Sequence, residues 1–293
     1  AQQDFYWIGG SGSWTDTLHW SSSSGGSADK GAYPSKNDNV YFDSLSFSAN
    51  GQEVNIWSKS LNKCADMIWQ DVKFNPILDF SELEIHGSLK FDSGMSLING
   101  SKQYGDILFK SDSTGNEIDM AGHIVNNVSF DDVSSNGGGS WELLDSLSLN
   151  VEGSSSDGEM EFKNGTFISN GHLIRVYDFD VPTSSSSWDI FLNMDSTEFI
   201  VCKSEGSHFG DIFIDSLSTK GTSVIFLEKG YFYSENAHYS KVVFKKGGKI
   251  QSWSSADSIY IDTLIIESGY TIDIGDGVSS SGMEYTIVDT LII

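Results

Sequence analysis

The sequence predicts an all-β chain, a right-handed parallel β-helix or β-solenoid behind an aromatic-rich N-terminal cap, on three observations. Apolar segments of about four to eight residues recur from end to end, separated by Gly, Ser, Asn and Asp. Several alternate apolar with polar, as in Leu83-Glu84-Ile85 and Ile272-Asp273-Ile274, the two-residue period that puts one face of a strand into a core. The chain has three prolines and no long stretch of 3.6-residue periodicity, so helices should be few and short. Similar phrases also return. Gly105-Asp106-Ile107-Leu108-Phe109 is echoed by Gly210-Asp211-Ile212-Phe213-Ile214, and Asn126-Asn127-Val128-Ser129-Phe130 by Tyr239-Ser240-Lys241-Val242-Val243-Phe244. Repeats of this kind mark a solenoid, in which each coil buries its inner face only by stacking on its neighbours. Parallel crossover connections are right-handed.

In chain order, residues 1–43 form the cap, because a first coil left bare would expose backbone and core. Phe5, Tyr6, Trp7, Trp14, Trp20, Tyr33, Tyr41 and Phe42 gather there as its apolar substance. Residues 44–293 form the solenoid. Its strands are expected at 54–57, 83–85, 89–91, 107–109, 128–130, 147–151, 167–168, 190–192, 212–214, 224–227, 242–244, 259–261, 264–266 and 271–274, each rich in Ile, Val, Phe or Tyr. Gly122-His123 and Gly171-His172 sit between such segments, at corner turns. Roughly ten coils about 4.8 Å apart would give a rod about 50 Å long. The final Thr290-Leu291-Ile292-Ile293 reads as a strand with an open apolar edge, so the solenoid is expected to continue past Ile293.

Composition excludes several function classes. With 41 acidic against 17 basic residues the formal charge is −24, which repels nucleic acid and anionic lipid. No run of about 18 apolar residues occurs, so direct membrane insertion by a helix is not expected. Ala1-Gln2-Gln3 fits the residues left after a signal peptidase has cut. Cys64 and Cys202 have neither metal-site nor redox spacing and read as small apolar side chains.

The opening Phe5-Tyr6-Trp7-Ile8-Gly9-Gly10-Ser11-Gly12-Ser13-Trp14-Thr15-Asp16, then His19-Trp20, then Pro34-Ser35-Lys36-Asn37-Asp38-Asn39-Val40-Tyr41-Phe42-Asp43, resembles the start of very large Bacteroidota surface adhesins exported by the type IX secretion system, including those of gliding motility. Further phrases look like the coils of that family: Cys64-Ala65-Asp66-Met67-Ile68-Trp69, Leu83-Glu84-Ile85-His86-Gly87-Ser88-Leu89, Asn116-Glu117-Ile118-Asp119-Met120-Ala121-Gly122-His123, Gly139-Ser140-Trp141-Glu142-Leu143-Leu144-Asp145-Ser146-Leu147 and Asn164-Gly165-Thr166-Phe167-Ile168-Ser169-Asn170-Gly171-His172. The resemblance implies a non-enzymatic protein at the extracellular cell surface, associated with the outer membrane. It would be an adhesin or its N-terminal stalk or docking region, partnered by the outer-membrane secretion and gliding machinery and by polysaccharide.

Seven Asp-Ser/Thr-apolar tripeptides, centred on Thr17, Ser44, Ser146, Ser216, Ser258, Thr263 and Thr290, exceed the roughly two that composition would yield. They look like the O-glycosylation sequon of exported Bacteroidota proteins. Turn chemistry gives the same pattern by another route, since Asp and Ser favour turns and an apolar residue then opens the next strand. The cap's aromatic group, Phe5, Tyr6, Trp7, Trp14, Trp20, Tyr33, Tyr41 and Phe42, is a candidate sugar-stacking platform, with Trp7, Trp14 and Trp20 singled out to stack on a sugar, although most of the same rings would serve as the cap's core.

A second class is a secreted polysaccharide lyase or hydrolase on a β-helix groove, or a carbohydrate-binding module. Asp131-Asp132, Glu159 with Glu161, Asp178 with Asp180, and Arg175, the only arginine, are the residues it would use. No catalytic residue is assigned, because so many acidic residues produce such pairs by chance. No cofactor is implied. Calcium at an acidic turn, for instance Asp273 with Asp276, is the one ion considered. His19, His86, His123, His172, His208 and His238 are scattered, with no nucleophile-elbow motif.

Overall fold

The computed structural model describes residues 2–57, 61–98, 105–133, 138–151, 157–181, 190–202, 207–209, 216–233, 237–252, 258–276 and 285–293. The chain is all-β, with parallel sheets stacked as a β-solenoid. Among the described residues the one helical element is the 3₁₀ turn Thr17–His19, and no helix is long and apolar enough to cross a membrane. Contacts divide the chain into two units, Ala1–Ser146 and Leu147–Ile293.

In the first unit most strands fall on three sheets, with short strands of successive coils stacked on one another. One sheet runs Trp20–Ser21, Asp4–Trp7, Asn39–Phe42, Met67–Trp69, Leu89–Lys90, Asn116–Asp119 and Ser140–Leu143. A second runs Gly12–Ser13, Glu53–Ile56, Ile77–Phe80 and Ser96–Ile98, and a third Lys63–Cys64, Glu82–Ile85, Asp106–Ser111 and Val128–Asp132. Register follows the alternation read in the sequence: Phe5, Val40, Met67, Leu89, Ile118 and Leu143 are successive partners, and all are buried. A slip of one residue in any strand would turn this column outward, so hydrophobic burial fixes the register.

Residues 1–43 are joined directly to this stack. Asp4–Trp7 pairs in parallel with Asn39–Phe42, whereas Trp20–Ser21 folds back antiparallel on Asp4–Trp7 and forms the outermost strand of the sheet. Beneath it lies an aromatic core. Trp20 packs edge-on to Phe5, Trp7 and Trp14, and Phe42 stacks on Trp69 with centroids 3.9 Å apart.

In the second unit the longest sheet runs Leu147–Leu149, Ile174–Val176, Glu198–Val201, Ser223–Phe226, His238–Phe244, Ser258–Ile266 and Tyr285–Ile292. Its inner column, Leu147, Ile174, Phe199, Val224, Val242 and Leu264, is sealed, and ends at Leu291 on an edge strand. Gly105–Phe109 includes the strand from Asp106, but its echo 210–214 lies outside the described residues.

Two devices turn the coils. Ala121-Gly122 and Asn170-Gly171 both have positive φ at each residue, with His123 and His172 donating their amides back to Met120 and Ser169 at 2.9 and 3.0 Å. The corner turns read from the two Gly-His pairs are these. Beside the second, Ser169 and Thr197 hydroxyls pair at 2.5 Å and Thr222 donates to the Met194 carbonyl, so buried polar groups bond from coil to coil.

Candidate functional site

The seven tripeptides take different positions. Asp16 caps the 3₁₀ turn by accepting the Leu18 amide at 3.0 Å, and Asp43 accepts the Leu45 amide at 2.8 Å in the turn that Ser46 closes. Thr17 and Ser44 lie half-buried in these turns, and the leucines that follow are 71% and 61% exposed. Turn chemistry explains the Asp and the hydroxyl there. It does not explain Leu18 and Leu45, since neither enters the core.

At Ser146, Ser258 and Thr263 packing accounts for the apolar member. Asp145 accepts the amides of Met120 and Gly122 at 2.7 and 3.1 Å, and Leu147 after Ser146 is fully buried. Ser258 and Thr263 lie within the strand Ser258–Ile266, followed by buried Ile259 and Leu264. Thr290 lies within Tyr285–Ile292, and Leu291 is exposed as the edge member of the inner column. Ser216 opens the strand Ser216–Ser218, with Asp215 outside the described residues.

Trp7, Trp14 and Trp20 are 1%, 1% and 0% exposed. Their faces are taken by one another, by Phe5 and Phe42, and by His19 stacked on Trp7 at 4.6 Å. As sugar-stacking candidates they are therefore corrected: the alternation of Asp4–Trp7 points Phe5 and Trp7 inward, and Tyr6 outward.

Tyr6 pairs in register with Tyr41 on the next strand, and the rings stack with centroids 4.8 Å apart and planes 16° apart. Ile68 follows in the same outward row. These side chains line a cleft of about 380 Å³ with Ser24, Phe42, Asp43, Ser44, Gln70 and Asp71. Burial, then the charge of Asp4 and the neighbouring Tyr6, push the Tyr41 phenol above its ordinary range, so it stays a neutral hydrogen-bonding group. Both tyrosines belong to the aromatic group that the sequence offers as a sugar-stacking platform, but residue type alone does not separate them from the tryptophans, whereas position parity decides which face each takes.

A second cleft, of about 570 Å³ in the second unit, is lined by Thr219, Lys220, His238, Ser240 and Asp262 among others, with His238 on Asp262 at 2.5 Å. In the first unit Glu84 gathers His86 at 2.6 Å, Lys110 at 3.5 Å and Lys63 at 3.8 Å. His19 and His123 bond the carbonyls of Ile8 and Asp92 at 2.7 and 2.9 Å. The side chain of His208 lies outside the described residues.

Among the described residues, two of the groove-enzyme carboxylate pairs face each other across adjacent strands. Glu159 stands opposite Asp178 and Glu161 opposite Asp180 on adjacent strands, with Lys163 on Glu161 at 3.0 Å. Asp132 is buried and Asp131 half-exposed. Arg175 lies beside the half-buried thiol of Cys202, which burial pushes up despite that charge. Cys64 is fully buried, and burial raises its thiol well above the usual range. Both cysteines are free. Asp273 lies 3.8 Å from Lys249, while the side chain of Asp276 is outside the described residues. Among the described residues no group of three or more His, Cys, Asp or Glu side chains is arranged to hold a metal ion.

Comparison with protein-family models, with curated proteins and with solved structures found no match to this chain.

Proposed function

We propose that this chain is the capped N-terminal solenoid of a non-enzymatic cell-surface adhesin, exported by the type IX secretion system and serving surface attachment or gliding motility. Its partners on this reading are the outer-membrane secretion and gliding machinery and, at the substratum, polysaccharide. The observation that supports it most is the display of Thr17-Leu18 and Ser44-Leu45 on outward turns of the first coils, with the leucines 71% and 61% exposed. These two of the seven tripeptides fit an acceptor for O-linked sugar, which needs a hydroxyl on an accessible turn. Sealed inner columns beneath a strongly acidic exterior suit a stalk that must stay soluble outside the cell.

Deleting the gene is expected to abolish attachment and spreading of the native cells. Normal attachment and spreading would remove the proposal. The carbohydrate-binding module is the second reading, favoured by the Tyr6 and Tyr41 cleft.

A further inference from the structure

We infer that the cleft walled by Tyr6 and Tyr41 binds a neutral saccharide. A sugar ring has an apolar C–H face and a rim of hydroxyls, and the cleft has the matching halves. Tyr6, Tyr41 and Ile68 supply an apolar wall in one outward row, while Asp43, Gln70 and Asp71 supply carboxylate and amide groups around it. The volume of about 380 Å³ falls within the range of ligand pockets, roughly 300–1,000 Å³.

The wall is organised before any ligand arrives. Tyr6 and Tyr41 stand on adjacent parallel strands whose inner neighbours Phe5, Trp7, Val40 and Phe42 are all buried, so the strands cannot shift without breaking the core. Stacking at 4.8 Å holds the two rings against each other. Side chains fixed in this way lose little freedom on binding, which favours affinity from a small surface.

Charge selects the class of saccharide. Asp43 and Asp71 stand at the cleft, Asp4 is near enough to Tyr41 to raise its phenol, and the chain carries −24 overall. A uronate, sulfated or phosphorylated sugar would be repelled at this place, whereas uncharged hydroxyls can donate to the carboxylates. Asp43 already accepts the Leu45 amide through one oxygen, and an ionised carboxylate has room for further donors.

The inference deepens the attachment reading by naming what the surface would hold, and the two fail separately. The whole chain, expressed without glycosylation, is titrated calorimetrically with laminarin, xyloglucan, galactomannan and dextran, and with alginate as the anionic comparator. Binding to at least one neutral polymer and none to alginate is expected. Tyr41→Ala and Tyr6→Ala should each weaken it about tenfold or more, and Tyr41→Phe, which keeps the stack, should retain most of it. Gln70→Ala, at an exposed rim position, serves where a tyrosine variant fails to fold, and should weaken binding several-fold. No binding to any of the four neutral polymers, preference for alginate, or binding indifferent to these variants would overturn the site. Beads coated with the whole chain give the other arm. Beads that attach to native substrata equally well with Tyr6→Ala and Tyr41→Ala combined remove the cleft and keep attachment, and beads that never attach remove the attachment reading while the titration still judges the cleft.

Discussion

His86 and Glu84 couple the stability of the first unit to pH. Burial is the largest influence on His86 and holds its pKa below the ordinary 6.5, against the pull of Glu84. Burial alone would raise Glu84, but the hydrogen bond from His86 and the charges of Lys110 and Lys63 together hold it below 4.5. In both cases the folded pKa lies under the unfolded one, so the unfolded chain takes up the proton first and stability falls on acidification. The His86 contribution is present above pH 6.5 and fades as pH drops toward its folded pKa, and that of Glu84 fades at lower pH, below 4.5. Thermal melts should show Tm falling between about pH 7.5 and 5.5, with a shallower fall in His86→Gln; a Tm that rises over that window would contradict the assignment. Trp20 tests the aromatic core. Fully buried among Phe5, Trp7, Trp14 and Phe42, it should cost about 3–5 kcal/mol when replaced by Ala in denaturant titrations. A loss under about 1 kcal/mol would mean the ring is not part of a packed interior.

Strands were legible wherever residues alternated, because period two and burial state the same fact. The segments 54–57, 83–85, 107–109, 128–130 and 242–244 all fall on or overlap observed strands. The cap was legible as aromatic substance but not as topology: nothing local in Trp20-Ser21 tells that this two-residue strand runs antiparallel to Asp4–Trp7. The outward turn that displays Leu45 was hidden for a related reason. Asp-Ser-Leu reads alike in a displayed turn and at Asp145-Ser146-Leu147, where the leucine opens a buried strand, and only the neighbouring coil distinguishes them. Corner turns were readable, since Gly after Ala121 and Asn170 marks left-handed backbone. Gly171 has φ +75°, so Gly171→Ala should destabilise the chain by about 1–2 kcal/mol while leaving the far-ultraviolet spectrum unchanged. A neutral result would show that the corner relaxes to another turn.

At the scale of the whole molecule, sequence pattern reached the solenoid because every coil repeats one requirement, an apolar inner column met by its neighbours. A function carried by the outer surface is harder to read, because outward positions answer to no packing rule, and the Tyr6 and Tyr41 pair becomes visible only once two strands stand in register. Surface exposure on the native cell is the claim on which attachment, sugar display and saccharide binding all depend. The most direct test is brief protease digestion of intact native cells, with the released peptides mapped by mass spectrometry. Release of peptides from this chain before lysis, including hexose-bearing peptides that contain Thr17 or Ser44, is the predicted result. Peptides that appear only after the cells are broken would contradict a surface adhesin.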